Sequence, residues 1–175
     1  PVPPGAAAAW PLHRTWRWYT HQRVDGHSYK TNTRLLGTFA DICAFWNLFN
    51  HVPPPSKFRT CVVTIGNSRV NAYSVFADGI QPEWEDEHNK NGGELCFRGA
   101  FGDDVDRIWK LCLVDLVRGG LADAVCGVRL VEKEAFSKLE VWYTADLTPA
   151  DREEILRWFR QLARRQRYSI GELAH

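Results

Sequence analysis

The chain has 175 residues and carries 22 Lys+Arg against 21 Asp+Glu, a formal net charge of +1. That is the size of one domain, and near-neutrality excludes a basic coat that binds nucleic acid by charge alone. With 45% hydrophobic and 25% charged residues, the chain is expected to fold around a full core rather than remain disordered. Aromatic residues stand out, with eight Trp, nine Phe and five Tyr, whereas Met is absent, as expected of a processed or trimmed chain.

Cys43, Cys61, Cys96, Cys112 and Cys126 form neither a C-x-x-C pair nor a cysteine-histidine ligand pair, so buried reduced thiols are expected and no metal or cofactor. The chain contains no apolar run of membrane-spanning length and no charged-then-apolar leader pattern. An intracellular, reducing compartment follows as the expectation.

Residues 1–9 are Pro, Gly, Ala and Val only, which predicts a flexible segment before a single domain over 10–175. From Leu12 to Thr20 aromatic and polar residues alternate, predicting a strand with Trp16 and Trp18 on one face; Arg34-Leu35-Leu36 follows a Val-Asp-Gly turn as its antiparallel partner. Thr38 and Asp41 have capping-box spacing and predict a helix over Phe39 to Phe49, ended by Pro53-Pro54-Pro55. Cys61 to Ile65 and Asn71 to Phe76 read as short strands around Gly66-Asn67, and Gly79 to Gly93 as a long polar loop carrying Trp84. Val105, Ile108, Trp109, Cys112 and Leu116 keep helical spacing, so 103–118 is a second helix; 125–131 and 138–144 give a strand pair. Thr148-Pro149 caps a third helix with Ile155, Trp158, Phe159 and Leu162 inward. Strands with interspersed helices and no regular alternation predict an α+β domain on an antiparallel sheet.

The loop Gly79-Ile80-Gln81-Pro82-Glu83-Trp84-Glu85-Asp86-Glu87-His88 supports three readings. Its carboxylates and histidine could serve a metal-dependent hydrolase through Glu83, Glu85, Glu87 and His88, or form a solvated acidic surface. Alternatively, the Trp84 indole stacks on a nucleobase while Glu85 accepts two adjacent donors, which guanine presents at N1-H and its amine. A facing second aromatic would favour a positively charged ring, and hence 7-methylguanine.

The run from Ser74 to Gly93 closely resembles the signature of the eukaryotic translation initiation factor 4E family, which binds the 5′ cap of messenger RNA. Phe45-Trp46-Asn47-Leu48-Phe49-Asn50-His51, Asp106-Arg107-Ile108-Trp109, Val125-Cys126-Gly127 and Val141-Trp142 follow in family order. The resemblance implies a curved antiparallel sheet with three helices on its convex side and the cap in the concave face. It makes Tyr29 and Trp84 the stacking pair, Glu85 and the Trp84 backbone the guanine readers, and Trp142 the contact to the methyl side. It assigns the phosphates to Lys133 and Lys138; strand parity with positions 131 and 133 makes Arg129 either a further phosphate cation or a solvated surface arginine. Val131 and Ala135 replace polar or basic family residues, Glu94 falls where the family often has Arg, and Arg164, Arg165 and Arg167 are further basic candidates.

On the opposite face the resemblance implies a partner surface of Pro11, Leu12, Ile42, Trp46, Leu113 and Val114, with Lys110 in place of an apolar family residue. An amphipathic helix from an initiation factor 4G-type scaffold or a 4E-binding repressor would dock there, with Lys110 meeting a partner carboxylate. The implied protein is a monomeric, non-enzymatic translation factor of the cytoplasm with no membrane partner, and nuclear residence in addition stays open. A family member with weakened cap binding, acting as a translational regulator, is the alternative.

Overall fold

The computed structural model describes residues 10–22, 32–60, 63–65, 68–133, 135–162 and 168–174. The 1–9 segment, the Val24-Asp25-Gly26 turn, Tyr29, Cys61, Gly66-Asn67 and Arg164, Arg165 and Arg167 lie outside these residues.

Eight strands form one antiparallel sheet: β1 (Pro11–Gln22), β2 (Asn32–Asp41), β3 (Thr64–Ile65), β4 (Ser68–Ala77), β5 (Gly93–Gly99), β6 (Val125–Glu132), β7 (Ser137–Tyr143) and β8 (Tyr168–Ala174). The order is β2-β1-β4-β6-β7-β5-β8, and β3 pairs only with β4. The helices are α1 (Ile42–His51), the single-turn α2 (Lys57–Thr60), α3 (Val105–Val117) and α4 (Pro149–Leu162). The three long helices and the curved antiparallel sheet are those expected.

Side chains alternate along a strand, so the register sorts the sheet into two faces. Trp18, Val75, Val128, Val141 and Leu95 lie side by side across five strands, next to Tyr73, Leu130, Leu139 and Phe97. All nine are buried in the hydrophobic core with Trp16, Phe45, Trp109, Cys112 and Phe159. Burying these side chains, at about 1.5–3 kcal/mol for each large one, fixes the helix-bearing face. The other face is polar, and its three rows are Arg17-Phe76-Gly127-Trp142-Glu94, Tyr19-Ser74-Arg129-Glu140-Cys96 and His21-Ala72-Val131-Lys138-Arg98.

Three expectations change. The residues from Thr38 to Asp41 stay in β2, paired to β1, and α1 starts at Ile42. Asp41 is itself the N-cap, accepting from the Ala44 amide at 2.8 Å. Strands β5 and β8 pair along Gly93 to Gly99 where no strand was expected. Cys43 is exposed, whereas Cys96, Cys112 and Cys126 are buried free thiols as expected, and burial pushes Cys126 up to about 12.

Candidate functional site

The loop between β4 and β5 is built by its own polar side chains. Gly79 has φ of +90°, a conformation glycine adopts without strain, and turns the chain out of β4. Asp86 accepts from the amides of Gln81 and His88, both at 2.9 Å, and from His88 Nδ1 at 3.0 Å. Burial works against the Asp86 carboxylate, but these hydrogen bonds outweigh it and hold its pKa below the ordinary value. Asn89 is buried and donates to the carbonyls of Gln81 and Glu83, both at 2.8 Å. The acidic run is thereby divided: Asp86 is a backbone clamp, Glu87 pairs with Lys90 at 2.5 Å, and Glu83, Trp84 and Glu85 are left exposed at the apex.

Trp84 is 38% exposed, and its ring centroid stands 5.0 Å from that of Trp142, edge to face. Trp142 in turn contacts Phe76 at 5.5 Å. Gly127 makes this layer possible, because a Cβ there would come within 2.5 Å of both the Phe76 ring and the Val75 carbonyl. Trp84 and Trp142 thus come together, with Glu85 next to Trp84 in the chain. Trp142, however, is buried, 1% exposed beneath Trp84. Tyr29, the expected opposite stacking partner, lies outside the described residues.

Beside this aromatic layer lies a cluster of charges. Lys138 Nζ donates to Glu94 Oε1 at 2.5 Å and reaches Glu140 Oε1 at 2.8 Å. Glu140 Oε2 accepts from the Trp142 indole N-H at 2.9 Å, tying the cluster to the aromatics. Burial, then the Glu140 charge, raises the Glu94 pKa in spite of Lys138. Burial works against the Lys138 charge, but the two carboxylates prevail and its pKa rises. Arg129 is half-buried in the adjacent row, and its Nε has no hydrogen-bond partner among the described residues. Lys133 stands exposed in the β6–β7 turn, its amide bonded to the Phe136 carbonyl at 2.9 Å, and Ala135 is exposed in the same turn. Val131 is buried. His21 bonds Ser74 Oγ through Nε2 at 2.7 Å and Thr33 Oγ1 through Nδ1 at 3.2 Å; burial, then Arg129, lowers its pKa to about 3.

The convex face gathers Pro11, Leu12, Ile42 and Trp46 around the start of α1, where the Ile42 amide bonds the Trp10 carbonyl at 3.2 Å. Ile42 and Pro11 are exposed, whereas Leu12, Trp46 and Val114 are partly buried. Lys110 Nζ lies 5.3 Å from the centre of the Trp46 ring. Leu113 is a correction: it is wholly buried within the chain's own core and is not available to a partner, while Leu111 is exposed on the same helix. An apolar cavity of about 230 Å³ opens elsewhere on this side, between Trp18, Phe49, Pro53 and Trp109.

Sequence reasoning missed Glu140, His21 and Asn89. Glu140 had a signal, since a carboxylate between Leu139 and Val141 falls on the polar face of a strand. Its partner Lys138 meets Glu94 across 44 residues of chain, which no local pattern announces.

The family description that matches residues 11–171 is eukaryotic initiation factor 4E. The chain is 31% identical over 140 residues to eukaryotic translation initiation factor 4E-1A of Danio rerio, covering 77% of this chain and 61% of that protein. It is 30% identical over 140 residues to eukaryotic translation initiation factor 4E of Homo sapiens, covering 77% and 60%. It therefore spans about three fifths of the length of these relatives. The crystal structure of schistosome eIF4E complexed with m7GpppG and 4E-BP superposes with a TM-score of 0.76 at 25% identity, over 93% of this chain and 88% of that one. The family match over residues 11–171, the similarity to curated relatives and the same overall fold agree: the chain belongs to the eukaryotic initiation factor 4E family.

Proposed function

We propose that this chain binds the 7-methylguanosine 5′ cap of messenger RNA in its concave face and docks a helical segment of a scaffold or 4E-binding repressor on its convex face. The carrying observation is the β4–β5 loop, in which Asp86 and Asn89 lock the backbone so that Trp84 and Glu85 are presented together above Trp142. A stacked base covers the Trp84 face, and the Glu85 carboxylate accepts from guanine N1-H and its amine. Methylation at N7 gives the ring a positive charge, which the indole attracts by about 0.5–2 kcal/mol. Tyr29 supplies the second face, and Trp142 faces the methyl side. The solved relatives carry m7GpppG or m7GpppA together with 4E-BP, which supports both halves of the reading. The chain acts by binding rather than catalysis, as a cytoplasmic translation factor with a nuclear pool.

Titrating tryptophan fluorescence with a 7-methylguanosine nucleotide, against the unmethylated form as control, tests the cap site. Saturable quenching by the methylated ligand at micromolar concentration is expected, with GTP at least tenfold weaker. Glu85→Ala should remove the preference for guanine over adenine; a retained preference would refute its role.

A further inference from the structure

The buried lysine of the concave face is already neutralised before any ligand arrives. Lys138, a phosphate contact by family resemblance, has its side chain 16% exposed and is held by two carboxylates whose side chains are 2% and 5% exposed. To serve a phosphate it would have to leave Glu94 and Glu140 buried side by side without a cation, a strongly unfavourable arrangement. A phosphate approaching from the slot would also meet Glu94, which sits opposite Trp142 in the sheet register. Arg129 differs in each respect. Its row places it across from Ser74 on one side and Glu140 on the other. No carboxylate among the described residues lies within ion-pair distance of it, and its Nε has no hydrogen-bond partner. Its strand, β6, runs between β4, which pairs with the His21 strand, and β7, which carries Lys138 and Glu140.

We propose that Arg129, and not Lys138, is the cation that meets the cap phosphate, and that the Glu94-Lys138-Glu140 cluster limits this contact to one phosphate group. The inference rests on the cap reading above and adds a ligand preference to it: the slot selects the methylated base and responds weakly to the length of the phosphate chain. A planar guanidinium suits one phosphate through two parallel N-H donors. Among the described residues of this face, Arg17 is paired with Asp78 and Lys138 with two carboxylates, while Arg98 and Lys133 are exposed and act through screened solvent.

The test is a fluorescence titration of the unaltered chain, Arg129→Gln and Glu94→Gln with 7-methylguanosine mono-, di- and triphosphate, folding being verified by circular dichroism. The three ligands are expected to bind the unaltered chain within about threefold of one another. Arg129→Gln should weaken all three by about tenfold, the scale of one charged hydrogen bond. Glu94→Gln should favour the triphosphate over the monophosphate by about fivefold, since it removes a negative charge yet leaves Lys138 paired to Glu140. A rise of tenfold or more from mono- to triphosphate in the unaltered chain overturns the inference alone. So does an Arg129→Gln protein that binds normally, or a phosphate dependence abolished by Lys133→Gln. Absence of binding by all three methylated ligands overturns the cap reading, and the inference with it.

Discussion

The two sides of the molecule, the sheet's concave face and the helix layer behind it, each carry a lysine that the family resemblance makes functional, and the fold treats them in opposite ways. Lys138 on the concave face is withdrawn from solvent and fixed by Glu94 and Glu140. Lys110 on the convex side is exposed and lies over the Trp46 ring, with no carboxylate among the described residues within ion-pair distance. Desolvation makes the difference: a buried ammonium must be paired, and a paired one is not free for a ligand, whereas an exposed ammonium on an aromatic face moves at small cost. Matching a residue type to a family position therefore does not carry its role across unless its new neighbours are also known.

The largest effect that would break this contrast is the removal of Lys138. Lys138→Met should destabilise the fold by about 3–5 kcal/mol, since it leaves Glu94 and Glu140 buried and repelling. Urea denaturation at pH 7.5 measures it. Adding Glu94→Gln and Glu140→Gln to the same protein should recover most of the loss. If Lys138→Met alone were as stable as the parent, the cluster would not be a structural unit and Lys138 would return as a ligand contact.

Acid sharpens the contrast by a smaller amount. Because burial lowers the His21 pKa from 6.5 to about 3, the folded state resists a proton that the unfolded chain accepts. Its contribution is complete above pH 6.5 and is lost as pH falls toward 3, by about 2 kcal/mol between pH 7.5 and 5. The sign for Glu94 is opposite. Its raised pKa means that the folded state takes up a proton more readily than the unfolded chain, so falling pH favours folding there. Denaturation at the two pH values should show a stability difference between parent and His21→Gln that shrinks by about 2 kcal/mol on acidification. A constant difference would mean that His21 takes up its proton equally readily in the folded and unfolded chain, so that burial does not oppose its charge.

How much of this was readable beforehand follows from the same physics. The core was legible because Ile108, Trp109 and Cys112, or Ile155 and Phe159, repeat at helical spacing and are buried as that spacing requires. The Trp84 loop was legible because its residues are contiguous. β5 was not, since Gly93-Glu94-Leu95-Cys96-Phe97-Arg98-Gly99 follows a polar loop and places a carboxylate where a strand pattern expects an exposed side chain; Glu94 is instead buried and paired with a lysine 44 residues away in sequence. The α1 boundary was misplaced because Thr38 and Asp41 satisfy a capping pattern equally well as cap and third residue, or as strand and cap. Only the pairing of Thr38 with Arg17 and Asp41 with Pro11 decides it.

The smallest effect lies on the convex face and separates a docking role for Lys110 from a structural one. An exposed cation over an indole contributes about 0.5–1 kcal/mol, so Lys110→Ala should lower stability by less than 1 kcal/mol. In binding the arithmetic differs. A helical peptide laid over Ile42 and Trp46 meets Lys110 at the edge of α3, and an Asp or Glu at that point gains an exposed ion pair of about 0.2–1 kcal/mol. Two peptides identical except for Glu or Gln at that position, titrated against the parent and against Lys110→Ala, isolate this term. The parent should prefer the Glu peptide by about threefold, and Lys110→Ala should bind both alike. Equal affinity of the parent for both peptides would assign Lys110 to covering Trp46 in the free protein; a preference that survived Lys110→Ala would place the acidic contact on another residue of this face.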